Sequence, residues 1–149
     1  MIALQAGFRI EATAQRVWEL INWAGVEALC NTGIFARAVR FTSTEPRPGA
    51  RRIFTTVDGG PQITELLLHY DEDLRVYEYR LADAGSLPIG DYEGRISVTP
   101  AGATACLLCF SARCVPVRIT EQELREFYQR AETQIAHALA RQLEATVSP

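Results

Sequence analysis

Arg52, Glu65 and Tyr79 combine a permanent cation, a carboxylate and a phenol on three strand-like stretches that follow one another along the chain, 51–57, 62–70 and 74–82. If Asp58–Pro61 is the first turn, Arg52 faces Leu67, Phe54 faces Glu65 and Thr56 faces Ile63. If Asp71–Asp73 is the second, Glu65 faces Tyr79 and Leu67 faces Tyr77. Arg52 then lies diagonally across from Glu65, a span of roughly 7–8 Å that a long side chain closes. In an apolar pocket such a cluster can run proton chemistry on a carbonyl compound. Arg52 would steady an enolate or oxyanion through fixed donors. Glu65 would serve as general base, and Tyr79 or a neighbouring tyrosine would orient or protonate a carbonyl. The same residues also read as a structural ion pair with a hydrogen-bonded phenol, since a buried charge has to be paired.

Other chemistries are argued against. All 15 basic residues are arginine, which removes Schiff-base catalysis, pyridoxal phosphate attachment and the phosphate-loop lysine. Cys106-Leu107-Leu108-Cys109 has redox or metal spacing, but residues three apart on a strand point to opposite faces. Cys106 and Cys114 share a face roughly 26 Å apart, too far for a disulfide. The cysteines therefore read as buried free thiols. His69 and His137 are the only histidines, and neither a nucleophile elbow nor a phosphate loop occurs. No metal and no cofactor are expected.

The elements that must position the cluster follow from periodicity. Residues 2–10 alternate, with Ile2, Leu4, Ala6, Phe8 and Ile10 on one side, which marks a half-buried strand. Thr13 suits the cap of a helix reaching about Trp23, and a short helix at 25–31 ends near Asn31-Thr32-Gly33. Six strands follow at 34–43, 51–57, 62–70, 74–82, 91–99 and 104–115, separated by Gly, Pro and Asp turns. Such short connections make antiparallel neighbours. Thr120-Glu121-Gln122-Glu123 fits a capping box. The long helix behind it has Leu124, Phe127, Tyr128, Ala131, Ile135, Ala138, Leu139 and Leu143 on its apolar face, and Arg125, Gln129, Glu132 and Arg141 opposite. The expected fold is α+β: a curved seven-stranded antiparallel sheet around a long C-terminal helix, in one domain spanning 1–149.

The 149 residues, 48% hydrophobic and 22% charged, suit one ordinary globular core. A formal charge of −3 with no basic stripe argues against nucleic acid. No apolar run reaches the ~20 residues of a membrane span, and the first residues lack the pattern of a signal peptide, so a cytoplasmic protein is expected.

The order of elements, together with Ile10-Glu11-Ala12 through Val17-Trp18, Gly49-Ala50-Arg51-Arg52, Ile63-Thr64-Glu65-Leu66-Leu67, Tyr77-Glu78-Tyr79, Leu87-Pro88, Asp91-Tyr92-Glu93-Gly94 and Phe110-Ser111-Ala112-Arg113, resembles the helix-grip superfamily of START and pollen-allergen-like proteins. The resemblance is nearest to its polyketide cyclase/dehydrase branch. It implies a cavity between the concave sheet and the last helix that takes a small hydrophobic molecule. It also implies that the face bearing Arg52, Glu65 and Tyr79 turns inward, although the opposite set Leu66, Leu68 and Tyr70 is equally apolar. On that orientation Phe54, Leu67, His69 (at the rim), Tyr77, Tyr92, Leu108 and Phe110 line the cavity from the sheet, and Phe127, Tyr128, Ala131 and Ile135 from the helix. A cyclase or cyclase/dehydratase on a polyketide-like metabolite is one reading. A carrier without turnover is another. The outward Leu107 and Cys109 leave room for a homodimer contact.

Overall fold

A computed structural model describes residues 1–30 and 36–149. The elements run β1 (Ile2–Ile10), α1 (Ala14–Ile21), α2 (Glu27–Cys30), β2 (Ala36–Phe41), β3 (Arg51–Thr56), β4 (Ile63–Asp71), β5 (Val76–Asp83), β6 (Ile89–Pro100), β7 (Cys106–Pro116), α3 (Glu121–Gln142) and β8 (Val147–Ser148). The sheet order is β2-β3-β4-β5-β6-β7-β1-β8, and every pairing is antiparallel. The α+β fold is therefore as expected, with one strand more. The addition is the two-residue β8, too short to show a period, which pairs Arg9 with Ser148 and Ile10 with Val147. The expected helix stop at Asn31-Thr32-Gly33 and the start of the 34–43 strand lie outside the described residues.

Local chemistry explains the boundaries. Thr13 accepts from the Arg16 amide to open α1, and Thr120 accepts from the Glu123 amide at 3.1 Å to open α3. β1 buries alternate residues, including Leu4, Ala6, Phe8 and Ile10, against β7, where Phe8 meets Leu108 and Ala6 meets Phe110. Helix α3 covers the concave face with Leu124, Tyr128, Ala136 and Leu139 buried.

The turns shift the register from that expected. Asp58 accepts from Thr56 Oγ1 and from the Gly60 amide, and Gly59 takes a φ of 75°, so the turn centres one residue early. Arg52 therefore sits directly opposite Glu65, and Phe54 opposite Ile63. The next turn runs on to Arg75 at φ 53°, which places Glu65 opposite Leu81 and Leu67 opposite Tyr79. Both shifts are by two residues, so each side chain keeps its face.

Two bulges change which side chains face inward. In β4 the register breaks between Leu67 and His69. Leu68 and His69 become exposed, and Tyr70 turns in opposite Tyr77. In β6 it breaks between Gly90 and Glu93, with Asp91 at φ 49°. Ile89 and Tyr92 both end up buried there, and Gly94, Ile96 and Val98 continue the inward row.

Candidate functional site

Arg52 is 2% exposed, the one buried charged residue among the described ones. Its Nε donates to Glu65 Oε1 at 2.6 Å, Nη1 to the Trp23 carbonyl at 2.9 Å and Nη2 to the Tyr77 hydroxyl at 3.1 Å. The Tyr77 hydroxyl in turn donates to the Ile21 carbonyl at 2.8 Å. Two carbonyls at and just beyond the end of α1 are thus tied to the sheet through one guanidinium and one phenol. The guanidinium also lies 4.4 Å from the Trp23 ring centre, within cation–π range. Trp18 braces the same region: it packs on Tyr70 and Tyr77, and its Nε1 donates to Glu72 at 2.9 Å.

Between the sheet and α3 lies a cavity of about 330 Å³, within the range of small-molecule sites. Arg52, Phe54 and Glu65 form one part of its wall, Tyr77, Tyr79 and Tyr92 another, and Phe110 its floor. Phe127, Tyr128, Ala131 and Ile135 close it from the helix. These eleven expected residues do meet at one cavity. Three others do not. Leu67 and Leu108 are buried in the core beside the cavity and form no part of its wall. His69 is exposed, because the β4 bulge turns it outward to pair with Glu78.

Gly94 makes room for Tyr79. The two are paired across β5 and β6, and a Cβ on Gly94 would stand 2.6 Å from Tyr79 Cζ. The Tyr79 ring can therefore lie over the neighbouring strand, 6.1 Å from the Tyr92 ring. The hydroxyls of Tyr79, Tyr92 and Tyr128 interact in sequence. Burial raises the pKa of all three, so they stay protonated as hydrogen-bond donors.

The charge of Glu132 predicts a place on the solvent side of α3, yet the residue lines the cavity. Its spacing carried the signal. It stands one turn after Tyr128 and one turn before Ala136, both buried. Among the described residues no hydrogen bond or ion pair reaches its carboxyl. Burial raises its pKa from 4.5 to about 8, and the nearby charge of Glu65 adds to the rise. The cavity thus holds two carboxyl groups in different surroundings, Glu65 clamped by Arg52 and Glu132 without a partner.

The described cysteines, Cys30, Cys106, Cys109 and Cys114, are all free, as expected. Burial lifts the Cys30 and Cys106 thiols to about 11, which leaves them unreactive. Among the described residues no cluster of His, Cys, Asp or Glu is arranged to hold a metal ion.

A curved antiparallel sheet gripping a long helix around an apolar, tyrosine-lined cavity defines a helix-grip ligand-binding protein. The family model for polyketide cyclase/dehydrase and lipid transport matches residues 1–144, and the chain belongs to that family. Solved structures repeat the fold. The protein XoxI from Bacillus cereus is 20% identical with a TM-score of 0.80, covering 95% of this chain and 94% of its own. A Thermobifida fusca protein is 22% identical with a TM-score of 0.72, covering 95% of each. Norcoclaurine synthase from Thalictrum flavum, in complex with dopamine and hydroxybenzaldehyde, is 16% identical with a TM-score of 0.68, covering 95% of this chain and 86% of that one. No curated protein matches the chain. No helix among the described residues is long and apolar enough to cross a membrane.

Proposed function

We propose that the protein encloses a small hydrophobic molecule between sheet and α3 and acts on it by cofactor-independent proton transfer, as a cyclase or cyclase/dehydratase on a polyketide-like metabolite. The observation that carries this reading is the convergence of Glu65, Glu132, Tyr79 and Tyr92 on one apolar cavity. The Glu65 carboxylate would remove a proton from a carbon between two carbonyls. The enolate would attack a second carbonyl of the same molecule, forming the ring bond. The resulting alkoxide would recover a proton from the Glu65 carboxylic acid, and loss of water would follow in a dehydratase. Tyr79, kept neutral by burial, would hold a carbonyl in place as a donor. Arg52 has committed donors to Glu65, Trp23 and Tyr77, so it acts by positioning Glu65 and less as a free oxyanion donor.

That engagement of Arg52 favours a second reading, a carrier with no turnover in which the ion pair is structural. Native mass spectrometry of the purified protein identifies a retained ligand or product. Glu65→Gln then separates the readings: an enzyme loses turnover and keeps its ligand, whereas a carrier is unchanged.

A further inference from the structure

We propose that the ligand of this cavity carries a protonated amine, which pairs with the Glu132 carboxylate among the rings of Tyr79, Tyr92 and Tyr128. The inference rests on the ligand-binding reading above and names the chemical class of the ligand.

Charge within the cavity leads to it. Three charged residues line the wall: Arg52, Glu65 and Glu132. The first two neutralise each other at 2.6 Å. Glu132 is left over, and no described side chain supplies its countercharge. The groups around it are the Arg52–Glu65 pair from β3 and β4, Tyr77 and Tyr79 from β5, Tyr92 from β6 and Tyr128 on its own helix. The Arg52 charge is already paired with Glu65, and none of the other groups is positive. A half-buried carboxyl that faces an apolar cavity without a protein partner is unfavourable in either state: ionised it lacks a cation, and neutral it lacks an acceptor. An organic ammonium satisfies it fully. The neighbouring tyrosine rings present π faces that attract cations, and the apolar remainder of the wall takes the hydrocarbon part of the ligand.

The proposal includes a proton balance. At pH 7 the empty cavity holds Glu132 as the carboxylic acid, since its pKa is about 8. A bound ammonium converts it to the carboxylate, and its proton leaves to solvent. A group with that pKa is about nine-tenths protonated at pH 7, so close to one proton is released per amine bound. The amine keeps its own proton, because alkylamines titrate near the ~10.4 of lysine.

The test needs no knowledge of the natural ligand. Binding of 4-phenylbutylamine and of its neutral isostere 4-phenylbutanol is measured by titration calorimetry on the full chain. Phosphate and Tris, which differ in ionisation enthalpy, report the proton released. The expected result is at least tenfold tighter binding of the amine at pH 7 with release of nearly one proton, and amine affinity that rises toward pH 9. Glu132→Gln, close in shape, should lose both the preference and the proton release while binding the alcohol as before. Equal binding of amine and alcohol to the native chain overturns the proposal, as does a proton release that persists in Glu132→Gln. If the native chain binds neither probe, the ligand-binding reading fails and the proposal fails with it. If only the amine proposal is wrong, the alcohol still binds.

Discussion

Replacing Glu132 by Gln should make the protein more stable above neutral pH. The native carboxyl titrates at about 8 in the folded chain against 4.5 as its ordinary value, so between those pH values the folded state binds more protons than the unfolded state. Stability attributable to this group is therefore complete below pH ~4.5 and is lost as pH rises to about 8. A pKa unit corresponds to about 1.4 kcal/mol, so the full shift sets a ceiling of about 5 kcal/mol. Glu132 keeps some accessible surface, and water reaching it reduces the penalty, so a loss of about 2–3 kcal/mol is the expected figure. Glutamine has nearly the same shape and no charge to desolvate. Its advantage over the native chain should be small at pH 5 and reach that loss at pH 9, or roughly 5–10 °C in Tm for a chain of this length. Chemical denaturation of both proteins at half-unit steps from pH 5 to 9 measures the difference directly. Every other titrating group is common to the two and cancels. Parallel pH profiles would refute the placement of Glu132 in an apolar cavity.

Other outcomes follow from the same contacts. Arg52→Met strands the Glu65 carboxylate and releases the Trp23 carbonyl, and should cost about 3–5 kcal/mol in denaturant. Adding Glu65→Leu should recover much of that loss, because a buried pair is replaced by packing instead of being halved. Gly94→Ala drives a methyl group into Tyr79 and should destabilise by about 1–3 kcal/mol, with an altered near-ultraviolet tyrosine dichroism signal as the ring moves. Trp18→Phe removes the Nε1 bond to Glu72 and some packing on Tyr70 and Tyr77, for a loss of about 1–3 kcal/mol and a lower Tm.

The sheet and its covering helix were legible in the sequence because each rests on a period. Alternation at 2–10 and the 3.6-residue spacing after Thr120 both persist long enough to tell strand from helix. Most of the cavity wall followed, since a two-residue register shift leaves every side chain on its face. The bulges were not legible. They depend on backbone angles at single residues such as Asp91, and nothing in the alternation of β4 marks the break that turns His69 out. Glu132 was misplaced for a different reason. Its charge assigned it to water, although its spacing from Tyr128 set it on the buried face. A carboxyl in the middle of an apolar stripe is an exception that pattern reading removes by construction, and exceptions of this kind gather at functional sites.

The short strand β8 bears on how anything enters. After α3 the chain turns back, with the Ala145 amide donating to the Ala140 carbonyl and the Glu11 amide to the Thr146 carbonyl, and β8 then joins the edge of β1. At the other end of the helix, Arg125 donates to the Ala3 carbonyl at 3.0 Å. The helix is moored at bow and stern, and swinging it out as a hinged door would break these bonds at one end or the other. Within the cavity wall, the half-buried Ile63, Leu87 and Phe127 are side chains that can turn aside for a ligand while the backbone stays in place.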